Sequence, residues 1–162
     1  MMISAAMAAK LSEQVGHEFF ASQSYLAMAC MFSGKSLSVL AGKFRAQTEE
    51  ERGHALKILD YLLEVGATVT LQSLPAPRSD YPTAISAIEA AVEHEKKVTR
   101  QIHELVALAE KEQDYATRSF LQWFVDEQVE EVSSMSTLVE IARMAGENLL
   151  QLEAYVARAA SK

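Results

Sequence analysis

The sequence predicts an all-α chain: four long helices in a bundle, a long crossover between the second and third, and a short fifth helix at the C-terminal end. Three observations point there. Gly and Pro are scarce, six and three among 162 residues, too few for a loop-rich β fold. Helix-forming residues dominate almost everywhere, so turn signals fall at few places. All three prolines, Pro75, Pro77 and Pro82, lie in one stretch that divides the helices into two pairs.

The first helix runs to a break at Ser33-Gly34-Lys35-Ser36, where Ser36 or Ser38 is placed to cap the second. Gly66 closes that second helix, and an irregular segment from Ala67 to Thr83 follows. Thr83 is placed as the N-cap of the third helix, with Ser86 further in. A short break at Gln113-Asp114 precedes the fourth, which extends to about Ala145-Gly146, and Glu147 to Ala160 forms the fifth. Tight joints make each pair an antiparallel hairpin. The link between the pairs, about 17 residues, exceeds the roughly 2–8 usual between bundle helices. One long crossover joining two hairpins is a known way of closing a four-helix bundle. No internal repeat interrupts the chain, and a single domain over 1–162 is expected.

Composition narrows the function classes. Fifteen Lys and Arg against 22 Asp and Glu give a net charge of −7, which argues against a nucleic-acid partner. The one cysteine, Cys30, cannot form an internal disulfide, which fits a reducing, cytoplasmic setting. Met1 to Ala9 is apolar but has no basic region ahead of it, so it makes a poor signal peptide. The uncharged run Phe19 to Gly34 contains Ser22, Gln23 and Ser24 and falls short of the about 20 apolar residues a membrane span needs. No membrane partner is expected.

The informative pattern lies inside the apolar stripes, read at the 4,3,4,3 spacing that faces a bundle core. The first helix gives Leu11, Val15, Glu18, Ser22, Tyr25, Ala29; the second Leu40, Phe44, Gln47, Glu51, His54, Ile58, Tyr61, Val65. The third gives Ile88, Val92, Glu95, Thr99, Ile102, Val106, Ala109; the fourth Thr117, Leu121, Phe124, Gln128, Glu131, Met135, Leu138, Ala142. Each stripe is interrupted by a carboxylate near its middle. At 1.5 Å per residue, Glu18, Glu51, His54, Glu95, Gln128 and Glu131 all lie near their helix centres, which meet at one level in an antiparallel bundle.

Burying one unpaired carboxylate costs several kcal/mol, and a cluster of like charges costs more. The carboxylates must therefore take up protons or be neutralised by cations, and no Lys or Arg sits on these stripes near the level. Glu51-x-x-His54 puts two ligands one turn apart on one helical face. Oxygen-rich ligation with one imidazole suits iron or manganese, so the expectation is a di-metal carboxylate site. A lone Glu on such a stripe is ordinarily a snorkelling surface residue, and a lone His a satisfied core group. Four carboxylates at matched depth outweigh that reading.

Other residues carry smaller expectations. Glu50, Glu127 and Glu130 flank the stripe, either as a third, weaker metal position or as a solvated acidic face. Tyr25 is placed as an electron or hydrogen-bond donor, or as bundle filler. Trp123 reads as packing; Met7, Met28, Met31, Met135 and Met144 as gap-fillers; His17, His94 and His103 as surface residues; Cys30 as an inert buried thiol.

Glu18, Glu51-Arg52-Gly53-His54, Glu95 and the segment Phe120-Leu121-Gln122-Trp123-Phe124-Val125-Asp126-Glu127-Gln128 together resemble the non-haem bacterial ferritins, over nearly the whole chain. The resemblance implies a ferritin-like fold and a ferroxidase that oxidises Fe(II) with O₂ or peroxide and stores ferric mineral inside a shell of twenty-four subunits. It implies Glu18 and His54 as terminal ligands of the first iron, Glu51 as the bridge, and Glu95 as ligand of the second, with Gln128 nearby. Glu50, Glu127, Glu130 and Glu131 resemble the acidic group of a third iron site, and Tyr25 the tyrosine beside the di-iron centre. Bacterioferritins are also similar, but they carry a haem-ligating Met where this chain has Arg52, and a second Glu-x-x-His where it has Gln128-x-x-Glu131. Haem is therefore not expected. Without a CxxC pair, a rubrerythrin is disfavoured as well.

Overall fold

The computed structural model describes residues 2–161, so Met1, where the signal-peptide reading begins, lies outside them. The described residues form α1 (Ala5–Gly34), α2 (Ser38–Glu64), α3 (Ala84–Lys111), α4 (Tyr115–Ala145) and α5 (Leu149–Ala160). This is the all-α bundle with a short C-terminal helix that the stripes predict. Among the described residues, no helix is long and apolar enough to cross a membrane.

Local chemistry sets most helix starts. Ser4 caps α1 by accepting from the Met7 amide, and Asp114 caps α4 by accepting from Thr117. Thr83 and Ser86 form a reciprocal capping box at α3, each side chain accepting from the other's backbone N–H. Asn148 caps α5 through the Gln151 amide, so that helix opens two residues later than Glu147. Gly66, at φ 76°, turns the chain out of α2 in a conformation that favours glycine.

The start of α2 departs from expectation. Neither Ser36 nor Ser38 caps it: Ser36 sits in the left-handed region of the tight turn, Ser38 is already helical, and Leu37 holds the N-cap position. The free amides of Val39 and Leu40 instead bond the carboxylate of Glu153 on α5, at 3.1 and 2.7 Å. A negative group at a helix N-terminus is favoured by the backbone dipole as well. The last helix therefore caps the second.

The apolar core falls into two clusters. Tyr25, Phe32, Phe44, Ile88 and Met135 anchor the one that α5 closes with Leu152 and Val156. Leu11, Ile58, Ile102, Leu121 and Phe124 anchor the other, at the opposite end of the bundle. Buried polar residues occupy the level between them, among them Glu18, Glu51, His54, Glu95, Gln128 and Glu131. The crossover reaches α3 over the outside of α1, where a side chain at Gly16 would meet Gln72 at 3.4 Å.

Several one-residue assignments change because the helices are rotated slightly from the ideal stripe. Val98 and Leu105 are buried on α3 while Val106 is half-buried. Cys30 is exposed, since it follows buried Ala29 onto the outer face of α1. Met7, Met28 and Met135 fill the core and Met31 is half-buried, but Met144 is 79% exposed near the end of α4. His103 is exposed and His17 half-buried, whereas His94 turns inward against Phe20 and Tyr25, with ring centroids 6.4 and 5.8 Å away.

Phe44 is fully buried and packs on Tyr25 and Phe32 at 5.8 and 5.1 Å between ring centroids. Phe44→Ala is expected to cost about 3–5 kcal/mol through lost burial and the cavity left behind. A fall in the guanidinium midpoint followed by far-ultraviolet circular dichroism would register it. An unchanged midpoint would contradict this account of the core.

Candidate metal centre

Each long helix brings one or two polar side chains to the level between the apolar clusters. α1 contributes Glu18, α2 Glu51 and His54, α3 Glu95, and α4 Gln128 and Glu131; all six are buried. Their ligand atoms fall into overlapping groups. Glu18, Glu51 and His54 offer atoms within 4.8 Å of one another, and so do Glu51, Glu95 and Glu131. Glu51 belongs to both groups, so one carboxylate stands between two potential cation positions.

Hydrogen bonds hold these side chains before any cation arrives. Gln14 Nε2 donates to Glu18 Oε1 at 2.8 Å. Gln47 Nε2 donates to Glu51 Oε1 at 2.8 Å and to Glu131 Oε2 at 2.9 Å, tying α2 to α4. Gln128 Nε2 lies 3.3 Å from Glu95 Oε2 and 3.1 Å from the Glu95 carbonyl, and the Tyr25 hydroxyl donates to Glu95 Oε1. His54 Nδ1 is 3.3 Å from Glu51 Oε2. Trp123 and Phe124 enclose the His54 ring edge-on, with centroids at 5.4 and 6.0 Å, and Lys57 lies over Trp123.

The electrostatics follow from crowding and burial. Burial first, then the neighbouring Glu51 charge, pushes the Glu18 and Glu95 carboxyls up to about 8. The same causes raise Glu131 to about 7. Burial alone would lower the His54 pKa, but its hydrogen bond to Glu51 and the carboxylate charges around it prevail and raise it to about 9. Burial also holds the Tyr25 hydroxyl well above its ordinary value and pushes the His94 imidazole down. Without cations, this layer retains protons that free carboxyls would lose.

The residues fit a pair of hard or borderline divalent cations. The donors are carboxylate oxygens and one imidazole, the set that iron and manganese favour over thiolate-seeking metals. Glu18 Oε2 is buried with no hydrogen-bond partner, the open valence of a ligand atom rather than of a satisfied core group.

Not every residue singled out in the sequence joins these groups. Gln128 stands beside Glu95 as a hydrogen-bond donor, its amide nitrogen turned to that carboxylate. Glu131, expected on the inner stripe and also implied by the resemblance as part of the third-site group, stands with Glu51 and Glu95 as well as with His54 and Glu127. Glu50 and Glu130 are exposed; with Glu127, Glu131 and Lys43 they line an outward-facing cleft of about 260 Å³. Gln14 and Gln47 are the partners that sequence reasoning passed over. Their signal was present, because each stands four residues before a stripe carboxylate, one turn away on the same face.

The family described as Ferritin-like domain matches residues 8–145, which is most of the chain. The chain belongs to the ferritin family. Among curated relatives, Ferritin BfrB of Mycolicibacterium smegmatis is 42% identical over 93% of this chain and 83% of its own length. A bacterial non-heme ferritin of Staphylococcus haemolyticus is 36% identical over 95% and 93%. Among solved structures, an open pore ferritin from the hyperthermophilic archaeon Archaeoglobus fulgidus superposes with a TM-score of 0.93 at 39% identity, covering 96% of each chain. The ferritin-like bundle expected from the sequence is therefore the fold of this protein, and iron storage is the function its family carries.

A pH dependence follows from the raised carboxyls. Between about 4.5 and about 8 the folded chain holds protons on Glu18 and Glu95 that the unfolded chain has released. That contribution to stability is complete below the lower value and disappears as pH rises through the upper one. His54 acts in the same direction between 6.5 and about 9. The thermal midpoint of metal-free protein should therefore fall as pH rises through this window, and less steeply in Glu18→Gln. An identical pH slope in the variant would show that Glu18 is not the carboxyl being titrated.

Proposed function

We propose that this ferritin is a ferroxidase whose intra-subunit site takes two Fe(II) ions as substrate and oxidises them with O₂ or peroxide. The observation that carries the reading is the sharing of Glu51 between two buried ligand groups, so that one carboxylate could serve two cations inside one chain. Glu18 and His54 complete the first position; Glu95 and Glu131 serve the second, with Gln128 steadying Glu95. Tyr25, bonded to Glu95, is placed to supply a hydrogen bond or an electron beside the second position. The whole chain, 1–162, acts as one ferritin-like di-iron domain.

The protein's share of the chemistry is proton handling and loose confinement. Binding of cations expels the protons that Glu18, Glu95 and Glu131 retain, so loading is accompanied by acid release. The second position has no imidazole, which favours departure of oxidised iron toward the mineral. Glu50, Glu127 and Glu130, lining the outward cleft beside Glu131, would supply a third, weaker iron position on that route. Family resemblance supports assembly into a shell of twenty-four subunits in the cytoplasm, and Arg52 in place of a haem-ligating Met supports a haem-free protein.

The test is anaerobic Fe(II) loading followed by rapid mixing with O₂. A fast phase consuming about two irons per chain is expected, and Glu51→Ala should abolish it. Slow, unsaturable oxidation in the unaltered protein would instead mean that the carboxylates only nucleate mineral. Wild-type speed in Glu51→Ala would overturn the site assignment.

A further inference from the structure

The buried carboxylates differ in how their two oxygens are used. Glu95 has both engaged, one by Tyr25 and one by Gln128. Glu51 has one oxygen on Gln47 and the other against His54. Glu18 alone among them has one oxygen taken, by Gln14, and the other buried without any partner. Gln14 stands one turn before Glu18 on α1 and is only 2% exposed.

The orientation of the Gln14 amide is itself set from outside. Its carbonyl oxygen lies 3.3 Å from His17 Nδ1. An amide oxygen only accepts, so this contact requires the Nδ1–H form of the imidazole, and it leaves the amide NH₂ to face Glu18. His17 and Glu18 therefore favour the same orientation of the amide, its oxygen toward the ring N–H and its NH₂ toward the carboxylate. His17 is half-buried and lines a cleft of about 330 Å³ between α1 and α3 with Lys10, Glu13 and Leu105. A chain of three side chains thus runs from a surface cleft to the carboxylate whose unpartnered oxygen is fully buried.

We propose that Gln14, oriented by His17, is a positioning residue that keeps Glu18 a one-oxygen ligand of the first metal position. The inference rests on the reading of Glu18, Glu51 and His54 as a metal site. An amide donor on Oε1 leaves Oε2 for the cation, whereas a carboxylate bound through both oxygens would fill two coordination positions. Keeping one of them free matters where an oxidant must reach the metal. Partners that orient ligands in this way commonly carry 10–100-fold in metal affinity.

The experiment is an anaerobic Co(II) titration of metal-free, assembled protein, followed by calorimetry and visible absorption. Gln14→Leu should weaken the first Co(II) step by roughly 10–100-fold and alter its absorption toward that of a higher-coordinate ion. His17→Ala should shift both readouts in the same direction. His17→Asn, which keeps an N–H donor near the position of Nδ1, should restore them. Because His17 is only half-buried, this pair carries the test if Gln14→Leu fails to fold. Glu51→Ala separates the two levels of the argument. If the unaltered protein binds no Co(II), or Glu51→Ala binds it normally, the metal-site reading fails. If those controls behave as expected while Gln14→Leu and His17→Ala keep wild-type affinity and spectrum, the positioning role is overturned.

Discussion

Carboxylates buried at one level of a four-helix bundle are the constraint on which the rest of this structure depends. Their charge cannot be left in a low-dielectric interior without protons or cations. The surroundings are arranged accordingly: three buried glutamines and a tyrosine donate to the carboxylates, and an imidazole pairs with the one that is shared. Raised carboxyl pKa values and an unpartnered Glu18 oxygen are two expressions of the same unmet demand for positive charge.

That polar level also explains why the core is divided. Apolar packing above and below it fixes the helices, so the buried polar side chains ride on rigid elements rather than on loops. Side-chain caps at α1, α3 and α4 satisfy those helix starts locally. The end nearer α5 is closed by tertiary structure, because Glu153 supplies the N-terminus of α2 with the acceptor that its own turn lacks. The short helix is therefore part of the bundle's stability, with Leu152 and Val156 buried beneath it.

Much of the fold and of the site was legible in the chain because helical periodicity is local. Glu18, Glu51, His54, Glu95, Gln128 and Glu131 sit on the stripe and near the helix centres, and those two coordinates suffice to bring them together. What failed was finer. Cys30 and His94 are each one position from a stripe residue, and a modest rotation of the helix sends one outward and the other in. Met144 lies close to the end of α4, where a core pattern no longer guarantees a core.

The sequence by itself determined the helices, the crossover, the depth of the acidic layer and the residue types that meet there. Only the tertiary structure decided which oxygen of each carboxylate is already engaged, that Gln14 and Gln47 are the donors that engage them, and that α5 caps α2. The reason is physical. Period and composition fix which face of a helix turns inward, whereas the last tens of degrees of rotation, and each hydrogen-bond partner with them, are set by how side-chain ridges of neighbouring helices interlock.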